Sequence, residues 1–132
     1  MKGLQSKVTR GLTIGSRLLC DDNSGAKIVQ IIGMKGRHTK RTRYPSAGVG
    51  DLVIVAVKKG VPQMKKKIER AVIIRQRRGF RRAGGMRVEF EDNAVVLVDD
   101  QGLPKATEIK GAIAREVVDR FPKVAGIASA VV

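Results

Sequence analysis

The apolar residues of this chain come in short runs, none longer than six, and turn-forming residues close nearly every one. The longest are Leu52 to Val57 and Ala94 to Val98, far short of the roughly 20 residues a membrane-spanning helix requires. They are rich in Val and Ile, whose branched Cβ suits a pleated sheet better than a helix. Strands are therefore predicted over Arg17 to Cys20, Ala26 to Met34, Asp51 to Lys58, Ile68 to Gln76, Met86 to Phe90 and Ala94 to Val98. Turn signals lie between them at Asp22-Asn23-Ser24-Gly25, Ala47-Gly48-Val49-Gly50, Gly60-Val61-Pro62, Gly84-Gly85 and Glu91-Asp92-Asn93. Such regularly punctuated short strands favour a barrel or a sandwich. The predicted fold is mainly β, a small closed barrel of the OB-like kind with about five strands. Gly84-Gly85 reads as the tip of a projecting hairpin that starts near Arg75, since glycine tolerates the positive φ of a tight turn.

The pattern changes after Pro104. Ile113, Ala114, Val117, Val118 and Phe121 recur at helical spacing, and Glu116 with Arg120 forms an i,i+4 pair. Pro122 interrupts this helix, and a second short helix is predicted over Lys123 to Ala130. At 132 residues the chain makes one domain. The barrel with its hairpin is expected over about 1–103 and a helical appendage over about 104–132.

The charge is concentrated. The chain carries 27 Lys and Arg against 12 Asp and Glu, a formal net charge of +15. Residues 35–87 hold 17 of the bases and only Asp51 and Glu69 among the acids, so this stretch carries the whole excess. A charge block of this size marks a surface for a polyanion. Lys35, Arg37, Lys40, Arg41 and Arg43 form one dense group, with Tyr44 beside it. Lys65, Lys66, Lys67, Arg75, Arg77, Arg78, Arg81 and Arg82 form the second. These residues are the expected RNA contacts.

Chemistry of other kinds finds no constellation. The single histidine, His38, sits among Lys35, Arg37, Lys40 and Arg41, a poor setting for a metal ligand. Cys20 stands beside Leu18 and Leu19 and reads as a buried structural thiol, and one cysteine fits a reducing cytoplasm. Asp21-Asp22 and Asp99-Asp100 read as turn-forming acids. No glycine-rich phosphate loop is present, and the N-terminus lacks the apolar core of a secretory signal. The expectation is no enzyme, no metal and no cofactor. Aromatics are scarce, with Tyr44 and Phe80 as possible surface contacts and Phe90 and Phe121 as core, so base stacking is a poor fit. Backbone recognition of a folded RNA by Lys and Arg remains. A free RNA chaperone or translation factor with an OB-like barrel is the alternative.

Several segments then occur together in a specific order. Asp22-Asn23-Ser24-Gly25-Ala26, Arg43-Tyr44, Gly48-Val49-Gly50-Asp51 and Ala71-Val72-Ile73-Ile74-Arg75 come first. Arg81-Arg82, Gly85, Phe90-Glu91-Asp92-Asn93-Ala94-Val95-Val96 and Gly111-Ala112-Ile113-Ala114-Arg115-Glu116 follow. The combination resembles the universal L-fourteen family of large-subunit ribosomal proteins (L-twenty-three in older eukaryotic naming), over residues 15–130. Glu91-Asp92-Asn93-Ala94 and the Met64 to Lys67 stretch resemble the archaeal or eukaryotic branch. Ala112 departs from the proline usual in the family. The resemblance implies a structural constituent of the large subunit, bound to its ribosomal RNA at the subunit interface in the cytoplasm. It further implies bridges to small-subunit ribosomal RNA and contact with neighbouring ribosomal proteins, including L-three. The anti-association initiation factor six is the expected occupant of the same surface in archaea and eukaryotes. No membrane and no homo-oligomer are expected. The nearly charge-balanced segment from Gly111 to Ala130 is the expected partner surface, with Arg115, Arg120 and Lys123 reaching across the interface. Its alternative role is a plug for one end of the barrel.

Overall fold

The computed structural model describes residues 2–36, 38–41 and 43–132. In chain order the first strands are β1 (Leu12–Thr13), β2 (Arg17–Cys20), β3 (Ala26–Met34), β4 (Ser46–Ala47), β5 (Leu52–Gly60) and β6 (Ile68–Arg75). A short hairpin follows, β7 (Phe80–Arg81) and β8 (Arg87–Val88), and then β9 (Ala94–Val98). The C-terminal part holds β10 (Ile109–Ile113), α1 (Arg115–Arg120), α2 (Pro122–Ala125) and β11 (Ala128–Val131).

The apolar alternation explains the barrel. In β5, Val53, Val55 and Val57 are fully buried while Leu52, Ile54 and Ala56 on the opposite side are partly exposed. Their inward neighbours are Ile31 of β3 and Ala71 of β6. Burying one such Val or Ile side chain stabilises the fold by roughly 1.5–3 kcal/mol. β2, β3, β5, β6 and β9 close on themselves in that order. Four of the junctions are antiparallel, and a parallel pairing of β2 with β9 (Leu19 opposite Ala94, Cys20 opposite Val95) closes the ring. Register shifts in β3 and β6 mark the bulges that let long strands bend around a small barrel.

β2 ends at Cys20, short of the length of β9. The bare edge of β9 is completed by other groups. Asp22 Oδ2 accepts from the Leu97 amide (3.0 Å), and the Lys105 amide donates to the Leu97 carbonyl (3.1 Å). Every residue of β9 is buried, and later chain returns to its edge at Pro104, which bridges to Val98. β10 and α1 cover β6 in the same way, and the Ala114 amide donates to the Ile74 carbonyl at 3.1 Å.

The predicted bounds of β2, β3 and β9 match the observed ones, and β5 and β6 differ by one or two residues. Met86 to Phe90 shortens to Arg87–Val88, since the Phe90 amide has already turned back to the Gln76 carbonyl (3.2 Å). The helix predicted over Lys123 to Ala130 is corrected: only Pro122–Ala125 is helical, and Ala128–Val131 is a strand parallel to β10. Ile109–Ile113 was not expected as a strand at all. Phe80 is also corrected, from surface contact to core: it is 1% exposed.

Candidate nucleic-acid interface

Strand direction sorts the basic segment into two places. β3 ends at Met34 opposite Val53, near the start of β5, and β6 ends three residues beyond the Val72–Leu52 pair. The loop after β3 and the hairpin after β6 therefore leave the barrel at one end. The Lys65-Lys66-Lys67 loop joins the far end of β5 to β6. Nine residues of β5 separate the two ends, roughly 25–30 Å of strand. The +15 that is continuous in sequence is thus split across the height of the barrel.

At the first end, Lys35, Lys40, Arg41, Arg43 and Tyr44 are exposed on the β3–β4 loop; Arg37 lies outside the described residues. Tyr44 is 78% exposed. The hairpin contributes Arg77, Arg78, Arg81 and Arg87, all exposed, with no side-chain ion pair or hydrogen bond within the described residues. Arg81 stands directly opposite Arg87 in the β7–β8 register. Two like charges in a cross-strand pair repel, so this pairing favours an anion between or above them. The turn is closed by Arg82 and Met86 (2.9 Å) with Gly85 at φ +86°, so Gly84-Gly85 does form the tip.

At the second end, Lys65, Lys66 and Lys67 are exposed, joined by Lys58 and Lys59 at the end of β5, which the sequence reading had not singled out. The Lys66 backbone sits at φ +67°, where a non-glycine residue is strained.

Arg75, Arg82 and Arg120 are placed differently. The Arg75 guanidinium is buried, donating from Nε and Nη2 to the Asp92 carboxylate (2.8 and 3.1 Å) and from Nη1 to the Ala112 and Lys110 carbonyls (2.7 and 3.3 Å). Asp21 completes this set as a further ion pair. Arg82 forks onto Glu116 (2.9 and 3.1 Å), reaches the Val132 carbonyl (2.6 Å) and lies over the Phe80 ring (5.7 Å). Arg120 donates to Asp51 (3.0 Å) and to the carbonyls of Gly50 and Lys2. These three arginines hold the hairpin, the C-terminal segment and the β4–β5 turn to the barrel. Arg115 and Lys123 are exposed.

Gln76, an organising residue that sequence reading missed, is 1% exposed. It accepts from the Val49 amide (2.9 Å) and donates to the carbonyls of Thr9 and Arg78 (2.8 Å each). Its only signal in sequence is a neutral polar residue between Arg75 and Arg77, just beyond the Ile73-Ile74 run. Cys20 is buried with its Sγ donating to Asp22 Oδ1 (3.2 Å), and burial pushes its thiol pKa up to about 12. Among the described residues no group of three His, Cys, Asp or Glu side chains converges as a metal site, and no helix is long and apolar enough to cross a membrane.

A family model described as ribosomal protein L14p/L23e matches residues 11–132. Similar proteins include the large ribosomal subunit protein uL14 of Methanoregula boonei (53% identical) and of Methanocorpusculum labreanum (51% identical). That of Picrophilus torridus is 50% identical. Each comparison spans 132 residues and the whole of both chains.

Proposed function

The chain belongs to the ribosomal protein L14p/L23e family, and on that premise we propose that it holds folded ribosomal RNA at both ends of its barrel. It is a structural constituent of the large ribosomal subunit and serves translation. The finer reading is that phosphates of large-subunit RNA are bound by Lys35, Lys40, Arg41, Arg43, Arg77, Arg78 and Arg81 at one end and Lys65, Lys66 and Lys67 at the other. Arg37 and Tyr44 belong to the same proposed face. The observation that carries this reading is the set of exposed hairpin arginines without internal partners, Arg81 facing Arg87. Such a set is stable when phosphates supply the missing negative charge. Arg75 and Arg82 act behind this face, as the posts that hold the hairpin.

Arg115 and Lys123, exposed beside the helices, are the proposed contacts to small-subunit RNA at a bridge, with Arg120 holding the segment in place from inside. L-three and the anti-association initiation factor six are the proposed protein partners near this segment. A free single-strand binder has little support, since Tyr44 is the one fully exposed aromatic among the described residues.

Sucrose-gradient sedimentation after a high-salt wash tests the assignment. A tagged chain is expected to stay with large subunits, and its release into the soluble fraction would refute the reading. Replacing Lys65, Lys66 and Lys67 together by Ala should lower the slope of log affinity against log salt by up to about 0.7–0.9 per lost phosphate contact.

A further inference from the structure

The first 20 residues hold Lys2, Lys7, Arg10 and Arg17 and no acid. In the sum over the chain outside 35–87 these charges are cancelled by the later Asp and Glu residues, yet the fold brings three of them to the base of the hairpin. Residues 2–11 form an arm without helix or strand that leads into β1, and β1 pairs with β4 (Leu12 opposite Ala47). The arm packs tightly on the β4–β5 turn, where a Cβ at Gly48 would lie 3.0 Å from the Thr9 carbonyl oxygen. Two largely buried side chains hold it: Arg120 Nε donates to the Lys2 carbonyl (2.7 Å) and Gln76 Nε2 to the Thr9 carbonyl (2.8 Å). The same Gln76 amide donates to the Arg78 carbonyl (2.8 Å), so one buried group fixes Thr9 and Arg78 together. Gly11 permits the close approach, since a Cβ there would stand 3.0 Å from Arg78 Cδ. Three clefts follow one another along this line. The first, of about 470 Å³, is lined by Leu4, Lys7, Arg10 and Val49 among others. Gly11, Arg77, Arg78 and Asn93 line the second, and Arg77 and Asn93 continue into the third with Arg17 and Leu19. Asn93 Oδ1 accepts from the Arg77 amide (2.8 Å) and holds that junction. The five bases on the line are exposed, and none has a side-chain ion pair or hydrogen bond among the described residues. Of the acids in the clefts, Asp51 is paired with Arg120 (3.0 Å) and Asp92 with Arg75 (2.8 Å), which leaves Glu91.

We propose that Lys7, Arg10 and Arg17, joined through Arg78 and Arg77, form a track for the phosphates of a single RNA strand, outside the segment that carries the net charge. An RNA strand brings one negative charge per nucleotide along its whole length, and a line of bases in a groove matches that repeat. Leu4, Val49 and Leu19 in the clefts offer neither a hydrogen-bond donor nor a stacking face, so the track holds backbone and does not read bases. An acidic protein segment would need a carboxylate at each step. A second copy of this chain cannot supply one, since its acids never run beyond two in succession. The track is also continuous with the hairpin base, which the reading above already gives to RNA. The proposal rests on that reading and adds to it an arm whose charge is invisible in the sum.

The test uses full-length chains and full-length large-subunit ribosomal RNA, labelled at its 3′ end, in filter binding across a salt series. Lys7→Ala, Arg10→Ala and Arg17→Ala combined should lower the slope of log affinity against log salt by about 2, from three contacts at roughly 0.7 each on a single strand. The urea midpoint should stay at the wild-type value, because these side chains have no internal partner. The charge-keeping set Lys7→Arg, Arg10→Lys and Arg17→Lys should retain the wild-type slope. An unchanged slope in the alanine variant overturns the track, and so does an equal loss in the charge-keeping one. Arg77→Ala separates this failure from that of the reading beneath it. If Arg77→Ala lowers the slope and the triple alanine variant does not, the track alone falls; if neither lowers it, the hairpin reading falls too. Benzoylphenylalanine at position 10 in salt-washed large subunits then distinguishes the occupants. An adduct to RNA supports the track, and an adduct to protein or to nothing overturns it.

Discussion

Arg75 and Arg77 stand two residues apart and should fail in opposite ways when truncated. Arg75 is 8% exposed and its guanidinium meets two carboxylates and two carbonyls. Removing one partner of a buried ionic cluster costs about 3–5 kcal/mol, because the remaining groups lose their counter-charge. Asp92 and Asp21 retain some access to water (34% and 19% side-chain exposure), so they can partly rehydrate and the lower figure applies. Arg75→Ala is therefore expected to destabilise the chain by about 3 kcal/mol. With a urea m-value of roughly 1.5–2 kcal/mol/M for a chain of this size, the midpoint falls by about 1.5–2 M. Below that midpoint the salt slope of RNA binding should be unchanged, since the Arg75 guanidinium is already engaged by Asp92, Asp21 and two carbonyls. Arg77→Ala, whose side chain has no internal partner, should move the midpoint by less than about 0.5 kcal/mol in stability and lower the slope by about 0.7–0.9. Urea denaturation and salt-titrated fluorescence anisotropy on one ribosomal RNA fragment read both quantities. An Arg75→Ala chain with wild-type stability and a reduced salt slope would refute the argument.

Lys66→Gly should raise stability by roughly 0.5–1 kcal/mol by relieving the positive φ while weakening RNA affinity; a loss of stability would contradict the strain. Gly111 has φ +77° and a Cβ there would lie 2.7 Å from Arg75 Nη1, so Gly111→Ala should cost about 2 kcal/mol or more in urea denaturation. The Cys20 thiol pKa is raised by burial first, with the Asp22 carboxylate adding to it, so the folded state holds its proton to about pH 12 while the unfolded chain releases it near 9. Its contribution to stability is complete below pH 9 and lost between pH 9 and 12, at about 1.4 kcal/mol per pH unit. Thermal unfolding at pH 8 and pH 10 should therefore diverge more for the wild type than for Cys20→Ala, and native Cys20 should react with a thiol reagent only as fast as the chain unfolds.

Sequence alone was enough for the barrel strands. Val and Ile are concentrated in β3, β5, β6 and β9, β2 alternates buried Leu18 and Cys20 with exposed neighbours, and Asn, Asp and Gly turns bound them, so local conformational preference and burial point the same way. It was also enough for a strongly basic chain with its excess charge in residues 35–87, since net charge is a sum that folding does not change. The partition of that charge was decided by tertiary structure. Arg75, Arg77, Arg81 and Arg82 are alike as letters, but β6 points Arg75 at Asp21 and Asp92, and the hairpin turns Arg82 onto Glu116, 34 residues away. Whether an arginine binds phosphate or carboxylate depends on which acid lies within reach, and that is a fact of packing. β10 and β11 were illegible for a related reason. Lys110-Gly111 breaks the one and Ala128-Ser129-Ala130 has weak strand preference, so each exists because the other, held by Asp21, Ile74 and Arg75, supplies its ladder. Phe80 read as surface because arginines surround it in sequence, and it is core because β7 folds it under them.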